Sequence, residues 1–389
     1  MYRPAARALL WMPRSKRTRR PIVLETTAIV PEGRHGVIGM TRASTRRAVR
    51  VSLCVIARDE GEQLGACLES AATAVDEIVV VDTGSHDDTV AVARAHGANV
   101  IEAPWSDDFA AARNVALAHA HGTWVLTLDA DERLTTDAVE SLATTIQHAG
   151  APALRLPIED IGTAGDVDAV HFAVRLFRRV PAHRWQRTVG ERITAAATEY
   201  VALPIRHHGY AIHTTRYAKL DRNRLLLERA VASAPTDAEL RQRLAWTMLV
   251  LGDPYAAATH AEAALRRTRA TMTGLLAIDT MARARLAAGD VAGAANACRT
   301  ALALRPDWID PRIVLAEACQ RAGRIDEALL HYSRFLADRE RLLADATWPL
   351  RLPRLSSLTA EPRARVELAS VHAAMHRADH QHDVLVGTA

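Results

Sequence analysis

Residues 124–134, WVLTLDADERL, join a buried-strand pattern to a cluster of acidic residues. Five mostly apolar residues run directly into Asp129-Ala130-Asp131-Glu132, so a segment typical of a buried strand ends on three carboxylates. A strand end is where a chain returns to water, and acidic residues suit the positive end of a following helix. Carboxylates packed this closely nevertheless repel one another unless a cation lies between them. The stretch therefore predicts either a simple helix start or a site that holds a cation.

Short apolar runs alternate with helical segments before this stretch. Runs of this kind are typical of strands buried on both faces, and they occupy 51–57 (VSLCVIA), 77–82 (EIVVVD), 99–103 (NVIEA) and 124–129 (WVLTLD). The alternation predicts an α/β fold of the Rossmann-like type, with a mostly parallel sheet and helices on both of its faces. After Gly150 the pattern becomes strand-rich and irregular, and we expect this part to complete the same domain.

Acidic residues stand at three of the predicted strand ends, in Arg58-Asp59-Glu60, Asp82-Thr83-Gly84 and Asp129-Ala130-Asp131. Ligands bind at these ends in parallel sheets. The phosphate-binding patterns GxGxxG and GxxxxGK[ST] are both absent from the sequence, which argues against a dinucleotide or P-loop site. A negatively charged mouth that binds an anionic nucleotide needs a bridging cation, and carboxylate oxygens predict Mg²⁺ or Mn²⁺.

The charge of the chain is unevenly distributed. Residues 1–50 contain 12 Lys and Arg but only 2 Asp and Glu, which leaves 37 basic and 43 acidic residues in the rest. The basic character therefore belongs to a tail at 1–49, which we expect to be disordered, and the acidic remainder argues against nucleic acid as a partner. Translation from Met40 instead of Met1 is an alternative start. No apolar run approaches the ~18 residues of a membrane span, so we expect a cytoplasmic protein whose membrane contact is at most peripheral, at the inner face.

A helical repeat follows from Leu220 onward. With Gly252, Gly289 and Gly323 as anchors, Ala recurs seven residues before and five residues after each glycine, and Leu recurs thirteen after. Small residues where two helices cross, with Gly at the turn between them, define a helix-turn-helix repeat of about 34 residues. The expected domains are therefore a tail at 1–49, an α/β domain at 50–219, repeats at 220–345, and a C-terminal helix and tail at 346–389. His372, His376 and His380 have a spacing that could bind Zn²⁺, or they form one solvated helix face.

Residues 51–230 resemble glycosyltransferase family 2, whose catalytic domain has the GT-A fold, and the repeats extend the resemblance to about residue 340. The resemblance rests on the order of the segments CVIARDE, EIVVVDTGSHDDT, DFAAARN and WVLTLDADE. The repeats resemble the tetratricopeptide type, and a bacterial branch of the family carries such repeats behind its catalytic domain. This branch includes lipopolysaccharide-core and bacteriocin-peptide glycosyltransferases.

The resemblance implies a nucleotide-sugar site. Asp59 matches the acid or amide position near the nucleotide base, where the family usually has Asn, and Asp82 matches the acid that holds uracil or ribose. Arg113 and Asn114 match the pair that faces the diphosphate. From the residues alone, two alternatives stay open: Asp82 caps the turn that follows it, or Arg113 is a solvated helix residue.

The resemblance also implies a metal site and a catalytic base. Asp129 and Asp131 match the DxD motif that contacts ribose and the metal-bound diphosphate, so Asp131 would be catalytic. His207 would be a third metal ligand or a diphosphate contact. Glu191 matches the base, although Gly190 replaces the histidine that precedes this glutamate in the family. Alternatively, His207 is a core or solvent-facing histidine, and Glu191 is a surface residue without a catalytic role.

The predicted function is therefore a metal-dependent, inverting transfer of sugar, of the hexosyltransferase type. The donor would be a nucleotide sugar, in particular a UDP-sugar, and the acceptor a glycan, a lipid-linked molecule or a peptide. A protein partner could bind the repeats. One alternative is a catalytically degenerate scaffold that binds a protein partner, and a second is a nucleotidyltransferase, which would normally carry a glycine-rich basic loop after the first strand.

Overall fold

The computed structural model describes residues 51–162, 165–209, 213–268 and 271–344, together with 364, 365 and 367. The chain divides into two units, 1–48 and 49–389, and all described residues belong to the second. The tail predicted at 1–49, most of the segment predicted at 346–389, and the three C-terminal histidines lie outside the described residues.

The α/β part begins with strands and helices that alternate as the sequence predicted. The strands are β1 (Val51–Ala57), β2 (Glu77–Asp82), β3 (Asn99–Glu102), β4 (Trp124–Asp129), β5 (Glu132–Leu134), β6 (Ala153–Ile161), β7 (Val167–Arg178), β8 (Trp185–Gln186), β9 (Arg192–Ile193), β10 (Thr198–Tyr200) and β11 (Ile205–His207). The helices between them are α1 (Gly61–Ala71), α2 (Thr89–Ala95), α3 (Phe109–His119) and α4 (Thr136–His148).

The main sheet has the strand order β3-β2-β1-β4-β7-β6-β11-β5, with β10 paired to β6. The four N-terminal strands are parallel, while β7 runs antiparallel to both β4 and β6. β8 and β9 form a separate two-stranded sheet. The predicted fold, a mostly parallel Rossmann-like sheet, is confirmed, and the strand-rich part after Gly150 extends the same sheet.

The strands β1 and β4 are almost entirely buried, because apolar side chains pack on both faces of the sheet. On one face, Leu64 of α1 and Leu142 of α4 pack in one core with Leu126. On the other face, Leu117 of α3 packs with Phe177 in a second core. Burial on both faces explains why these strands are continuous apolar runs and not alternating ones.

Helices make up the described part of the chain from His213 to Ala344. They are α5 (His213–Ser233), α6 (Ala238–Val250), α7 (Pro254–Thr268), α8 (Met272–Ala287), α9 (Val291–Leu304), α10 (Asp310–Arg321) and α11 (Ile325–Ala344). We call α6–α11 the repeat helices. They form three successive pairs, and the turn inside each pair carries one of the three anchor glycines in a left-handed conformation, with φ of +89°, +85° and +71°. Only glycine adopts this conformation at little cost.

Small residues lie where the repeat helices cross. The six alanines that define the repeat are all at most 1% exposed; they are Ala245, Ala257, Ala282, Ala294, Ala316 and Ala328. Their burial confirms the physical basis of the predicted periodicity, since a larger side chain would separate the helices. The four cysteines are buried and unpaired, as expected. Among the described residues, none of the helices combines the length and the apolar character needed to cross a membrane.

The buried centre of the sheet generates a stability prediction. Val55 in β1 is 0% exposed, whereas Val180, after β7, is 39% exposed. We expect Val55→Ala to lower the free energy of unfolding by about 2 kcal/mol, because two methyl groups leave the core and a cavity remains. Val180→Ala is the matched control and should change it by less than ~0.5 kcal/mol. Urea unfolding followed by tryptophan fluorescence measures both, and equal effects would contradict the assignment of β1 to the core.

Candidate functional site

Several of the predicted site residues lie at one edge of the sheet, at the carboxyl ends of β1 and its neighbours. This strand lies between β2 and β4, so the chain leaves it toward one side and later returns on the other. In open α/β sheets such a point forms a crevice outside the carboxyl ends of the strands, where ligands bind. Asp59 lies just beyond β1, while Asp82 and Asp129 end β2 and β4. The topology therefore places the predicted acidic residues at the same edge.

Asp129 is held by two arginines. Nη2 of Arg113 lies 2.6 Å from Oδ1 of Asp129, and Nη2 of Arg175 lies 2.7 Å from Oδ2. Burial alone would raise the pKa of Asp129, but the charges of Arg175 and Arg113 outweigh it and hold this pKa well below its usual range. The carboxylate is therefore ionised and already neutralised by the protein.

Arg113 connects Asp129 to Glu191. Its Nε lies 2.7 Å from Oε1 of Glu191, and its Nη1 donates to Oγ1 of Thr127 at 3.0 Å. The guanidinium also lies over the ring of Trp185, with 5.1 Å between Cζ and the ring centroid. Because Arg113 is only 5% exposed, it is not a solvated helix residue. A buried arginine with two carboxylates as partners fixes both of them relative to the sheet.

Glu132, the third acid of the opening stretch, lies beneath Asp129. It is 1% exposed and accepts hydrogen bonds from the backbone N of Asp129 at 2.9 Å and from Nη2 of Arg175 at 2.5 Å. Burial raises the pKa of Glu132 against the charge of Arg175, and the neighbouring charge of Asp129 adds to the increase. Glu132 thus supports the turn that carries the acidic motif, and it faces the protein.

Asp131 points into a second group of charged side chains. Its Oδ2 lies 3.1 Å from Nζ of Lys219, which also lies 2.6 Å from Oε1 of Glu60. Its Oδ1 lies 3.5 Å from Nε2 of His207. Burial would raise the pKa of Asp131, but the hydrogen bond and charge of His207 and the charge of Lys219 lower it to about 2. The two acids of the motif therefore have separate environments.

Asp131 and His207, two of the three predicted metal ligands, lie side by side. The other ring nitrogen of His207, Nδ1, lies 3.0 Å from Oδ1 of Asp160. Carboxylates placed behind metal-binding histidines in this way orient the ring. Within the described ranges, no group of three or more His, Cys, Asp or Glu side chains has a geometry that could hold a metal ion. A cation here would therefore need ligands besides these two protein side chains.

Asp82 and Asp59 are joined through the turn after β2. Oδ2 of Asp82 accepts hydrogen bonds from the backbone N of Gly84 and of Ser85, both at 3.1 Å. Oδ1 of Asp59 accepts from the backbone N of His86 at 2.7 Å, and Asp59 itself has a left-handed φ of +52°. Asp82 thus caps the turn that follows it, as one of the two interpretations held. A contact of either acid with a nucleotide stays a prediction.

Asn114 engages the protein backbone. Its Nδ2 donates to the carbonyl O of Trp185 and its Oδ1 accepts from the N of the same residue, both at 2.9 Å. This pair of hydrogen bonds fixes β8 against α3. The diphosphate contact that the resemblance implies for Asn114 stays a prediction, and the structure gives the side chain a positioning role as well.

The sequence analysis named Glu132 and Glu60 among the acids at strand ends but gave them no role, and it missed Arg175, Lys219 and Asp160. Arg175 comes from β7, which runs antiparallel beside β4 although two strands and a helix separate them along the chain. Lys219 comes from α5, which the sequence analysis assigned to the border of the repeats. A count of unpaired acids at the strand ends was the available signal, because each of them requires a cation nearby.

The environment of Asp131 generates a prediction about pH. Its folded-state pKa of about 2 lies below the ordinary value of 3.8, so the ionised form stabilises the fold above pH ~4, and this contribution is lost as the pH falls toward ~2. We expect Asp131→Asn to lower the free energy of unfolding at pH 7 by ~2 kcal/mol. The difference should narrow below pH ~4. Urea unfolding at pH 7 and pH 3 measures it, with the exposed Glu140→Gln as control; an equal deficit at both pH values would rule out the charge interaction as the cause.

Two family models match the chain. Residues 52–211 match the model described as glycosyl transferase family 2, and residues 285–339 match a tetratricopeptide repeat model. The first range begins at the second residue of β1 and extends past β11, and the second runs from the end of α8 through most of α11. Both resemblances seen in the sequence are thereby confirmed.

Two bacterial proteins are similar to parts of this chain. A TPR repeat-containing protein of Synechococcus elongatus is 38% identical over 237 residues, which cover 57% of each chain. An uncharacterized glycosyltransferase of Rickettsia felis is 33% identical over 93 residues, covering 24% of this chain and 32% of that protein. The chain thus matches little more than half the length of the Synechococcus protein and about a third of the Rickettsia protein.

Among solved structures, glucosyl-3-phosphoglycerate synthase of Mycobacterium tuberculosis is 23% identical, with a TM-score of 0.25 and coverage of 29% of this chain and 44% of that chain. This likeness is too slight to transfer any property of that enzyme. The family assignment rests on the two matched ranges and on the fold that contains them. The chain joins a glycosyl transferase family 2 domain to tetratricopeptide repeats.

Proposed function

We propose that this protein transfers a sugar from a nucleotide-sugar donor, in particular a UDP-sugar, to a glycan, a lipid-linked molecule or a peptide. The observation that carries the proposal is the buried Arg113, which joins Asp129 of the acidic motif to Glu191 in a family 2 domain. Arg113 thus joins a residue proposed for donor binding, Asp129, to the residue proposed to remove the proton from the acceptor, Glu191.

On the donor side, the turn formed by Asp59, Asp82 and Ser85 offers hydrogen-bonding groups for a nucleoside. Asp82 is 5% exposed, and its carboxylate keeps this turn in one conformation. Side chains held in place before the ligand arrives bind it at a lower entropic cost. We assign the base and ribose to this turn and the diphosphate to the region of Asp131.

A divalent cation, Mn²⁺ or Mg²⁺, would be held by Asp131 and His207. Asp129 is less suited to this role than the sequence motif implies, because an arginine engages each of its carboxylate oxygens. When bound, the cation would neutralise the negative charge that develops on the departing diphosphate. Lys219, which contacts Asp131, adds a second positive charge from the protein on the same side.

On the acceptor side, Glu191 is assigned as the general base. Its side chain is 15% exposed, and its contact with Arg113 fixes the orientation of one oxygen. A carboxylate that removes the proton from an acceptor hydroxyl assists direct displacement at the anomeric carbon, which inverts its configuration. Inversion and a hexose as the transferred group belong to this proposal.

A non-catalytic scaffold is the second candidate function. It is favoured by the ion pairs of Asp129 and Asp131, because a network that is neutralised within the protein is stable without nucleotide or metal. In this case the repeat helices would bind a protein partner and the α/β domain would have only a structural role. The two experiments that follow distinguish the candidates.

The first experiment tests the metal-bridged donor site. We expect UDP to raise the melting temperature only when Mn²⁺ or Mg²⁺ is present, because the edge of the sheet is acidic and lacks a glycine-rich phosphate loop. At a hundredfold excess over Kd, binding stabilises the fold by ~2.7 kcal/mol, a shift that differential scanning fluorimetry detects. Asp131→Asn should abolish the metal-dependent part, and Glu140→Gln should retain it. Equal stabilisation in EDTA would overturn the proposed role of the metal.

The second experiment tests catalysis through release of UDP from UDP-glucose and UDP-N-acetylglucosamine. Asp131→Asn should lower turnover by about 10²-fold or more, the effect typical of the loss of one electrostatic stabiliser. Glu191→Gln should lower kcat with little change in donor affinity, since the base acts on the acceptor. The wild-type rate in Asp131→Asn would remove the acidic motif from the mechanism. No turnover by the unaltered protein, with UDP binding intact, would favour the scaffold.

A further inference from the structure

The residues between β8 and β9 connect the candidate base to the repeat helices. We call residues 187–191 the base loop, because it ends at Glu191. Two of its five residues have left-handed backbone conformations: φ is +77° at Arg187 and +62° at Gly190. A residue other than glycine in this region costs of order 1 kcal/mol or more and persists only where its surroundings enforce it.

Ion pairs to the start of α6 enforce the conformation of Arg187. Nη2 of Arg187 lies 2.7 Å from Oδ2 of Asp237, and Nη1 lies 2.8 Å from Oε2 of Glu239. Asp237 is the N-cap of α6, and its other oxygen accepts the backbone N–H groups of Glu239 and Leu240. One carboxylate therefore caps the helix and anchors the loop.

An apolar contact fixes the middle of the base loop to the same helix. Val189 is 5% exposed and packs in one core with Leu226 and Leu227 of α5 and with Leu240 and Leu244 of α6. On its other side, the loop accepts a hydrogen bond at Thr188 O from the backbone N of Phe109, at 2.9 Å. The loop is thus enclosed between α3 of the α/β domain and the first repeat helix.

Gly190 shows how closely α6 approaches the base. A Cβ atom at this position would lie 2.7 Å from Cδ and 2.8 Å from Nε of Arg243, which belongs to α6. The histidine that the family resemblance places here would therefore require a shift of Arg243 and a strained backbone. The side chain of Arg243 thus occupies the space that a larger side chain at position 190, directly before Glu191, would need.

We propose that α6 helps to form the acceptor side of the site. Arg187 is then a positioning residue, because its ion pairs with the start of α6 hold the loop that carries Glu191. The proposal rests on the proposed function, in which Glu191 is the base. Arg113 fixes the Glu191 carboxylate from the α/β domain, and the pairs of Arg187 fix the backbone that carries it. Loss of Arg187 should therefore slow proton removal while the donor site keeps its affinity.

The experiment compares Arg187→Met with the matched control Arg192→Met. Arg192 is 59% exposed and lies 3.8 Å from the same Glu239, so its loss removes a similar charge without releasing the loop. We expect Arg187→Met to lower kcat for UDP release by about tenfold or more, because a displacement of ~1 Å can cost a catalytic group as much as 10²-fold. The donor KM and the UDP-dependent thermal shift should be unchanged. Arg187→Lys, which keeps one ion pair, should restore most of the rate.

Hydrogen–deuterium exchange gives a readout independent of turnover. Arg187→Met should speed amide exchange in residues 187–191 and leave residues 51–57 unchanged, whereas Arg192→Met should affect neither. Unchanged exchange in the base loop, or a wild-type kcat in Arg187→Met while Glu191→Gln is impaired, would overturn the proposal. If Glu191→Gln is itself silent, the assignment of the base fails, and exchange alone then decides whether α6 holds the loop.

Discussion

The buried guanidinium of Arg113 holds Asp129 and Glu191 in fixed positions relative to the sheet. It contacts Asp129, Glu191 and Thr127 and lies against Trp185, so it joins α3, β4, the base loop and β8. Taking a charge out of water is costly, and the cost is offset here because carboxylates and a hydroxyl surround it. Removing one partner of such a buried pair typically costs roughly 3–5 kcal/mol, since the remaining charge stays buried. Arg113 therefore has to be counted as part of the fold as well as part of the site.

The three carboxylates at the end of β4 coexist because cations of the protein itself lie between them. Arg113 and Arg175 neutralise Asp129, Arg175 also contacts Glu132, and Lys219 and His207 contact Asp131. The sequence alone predicted a cation among these acids, and the structure supplies arginine and lysine for that role. In the proposed function a metal would therefore be needed to offset the charge of the donor diphosphate more than the charge of these acids.

Much of the sheet could be predicted because β1, β2 and β4 are buried on both faces and their sequences are continuous apolar runs. The repeat helices could also be predicted from the sequence, since the glycines at the turns and the alanines at the helix crossings recur at fixed spacing. Arg175 and Lys219 could not be found in this way, because antiparallel insertion of β7 and docking of α5 are tertiary events without a local pattern. Asn114 shows a further limit: a motif identifies the residue, but the fold decides whether its amide faces a ligand or the backbone of Trp185.

Helices at and beyond the end of the α/β domain contribute side chains to the candidate site. Lys219 of α5 contacts Asp131, and Asp237, Glu239 and Arg243 of α6 surround the base loop, so helices beyond the α/β domain reach both sides of the site. Gly190 is the residue that permits this approach, since any side chain there would displace Arg243. The surroundings of Glu191 are therefore built by both parts of the chain, because Arg113 contacts its carboxylate and groups at the start of α6 hold the loop that carries it.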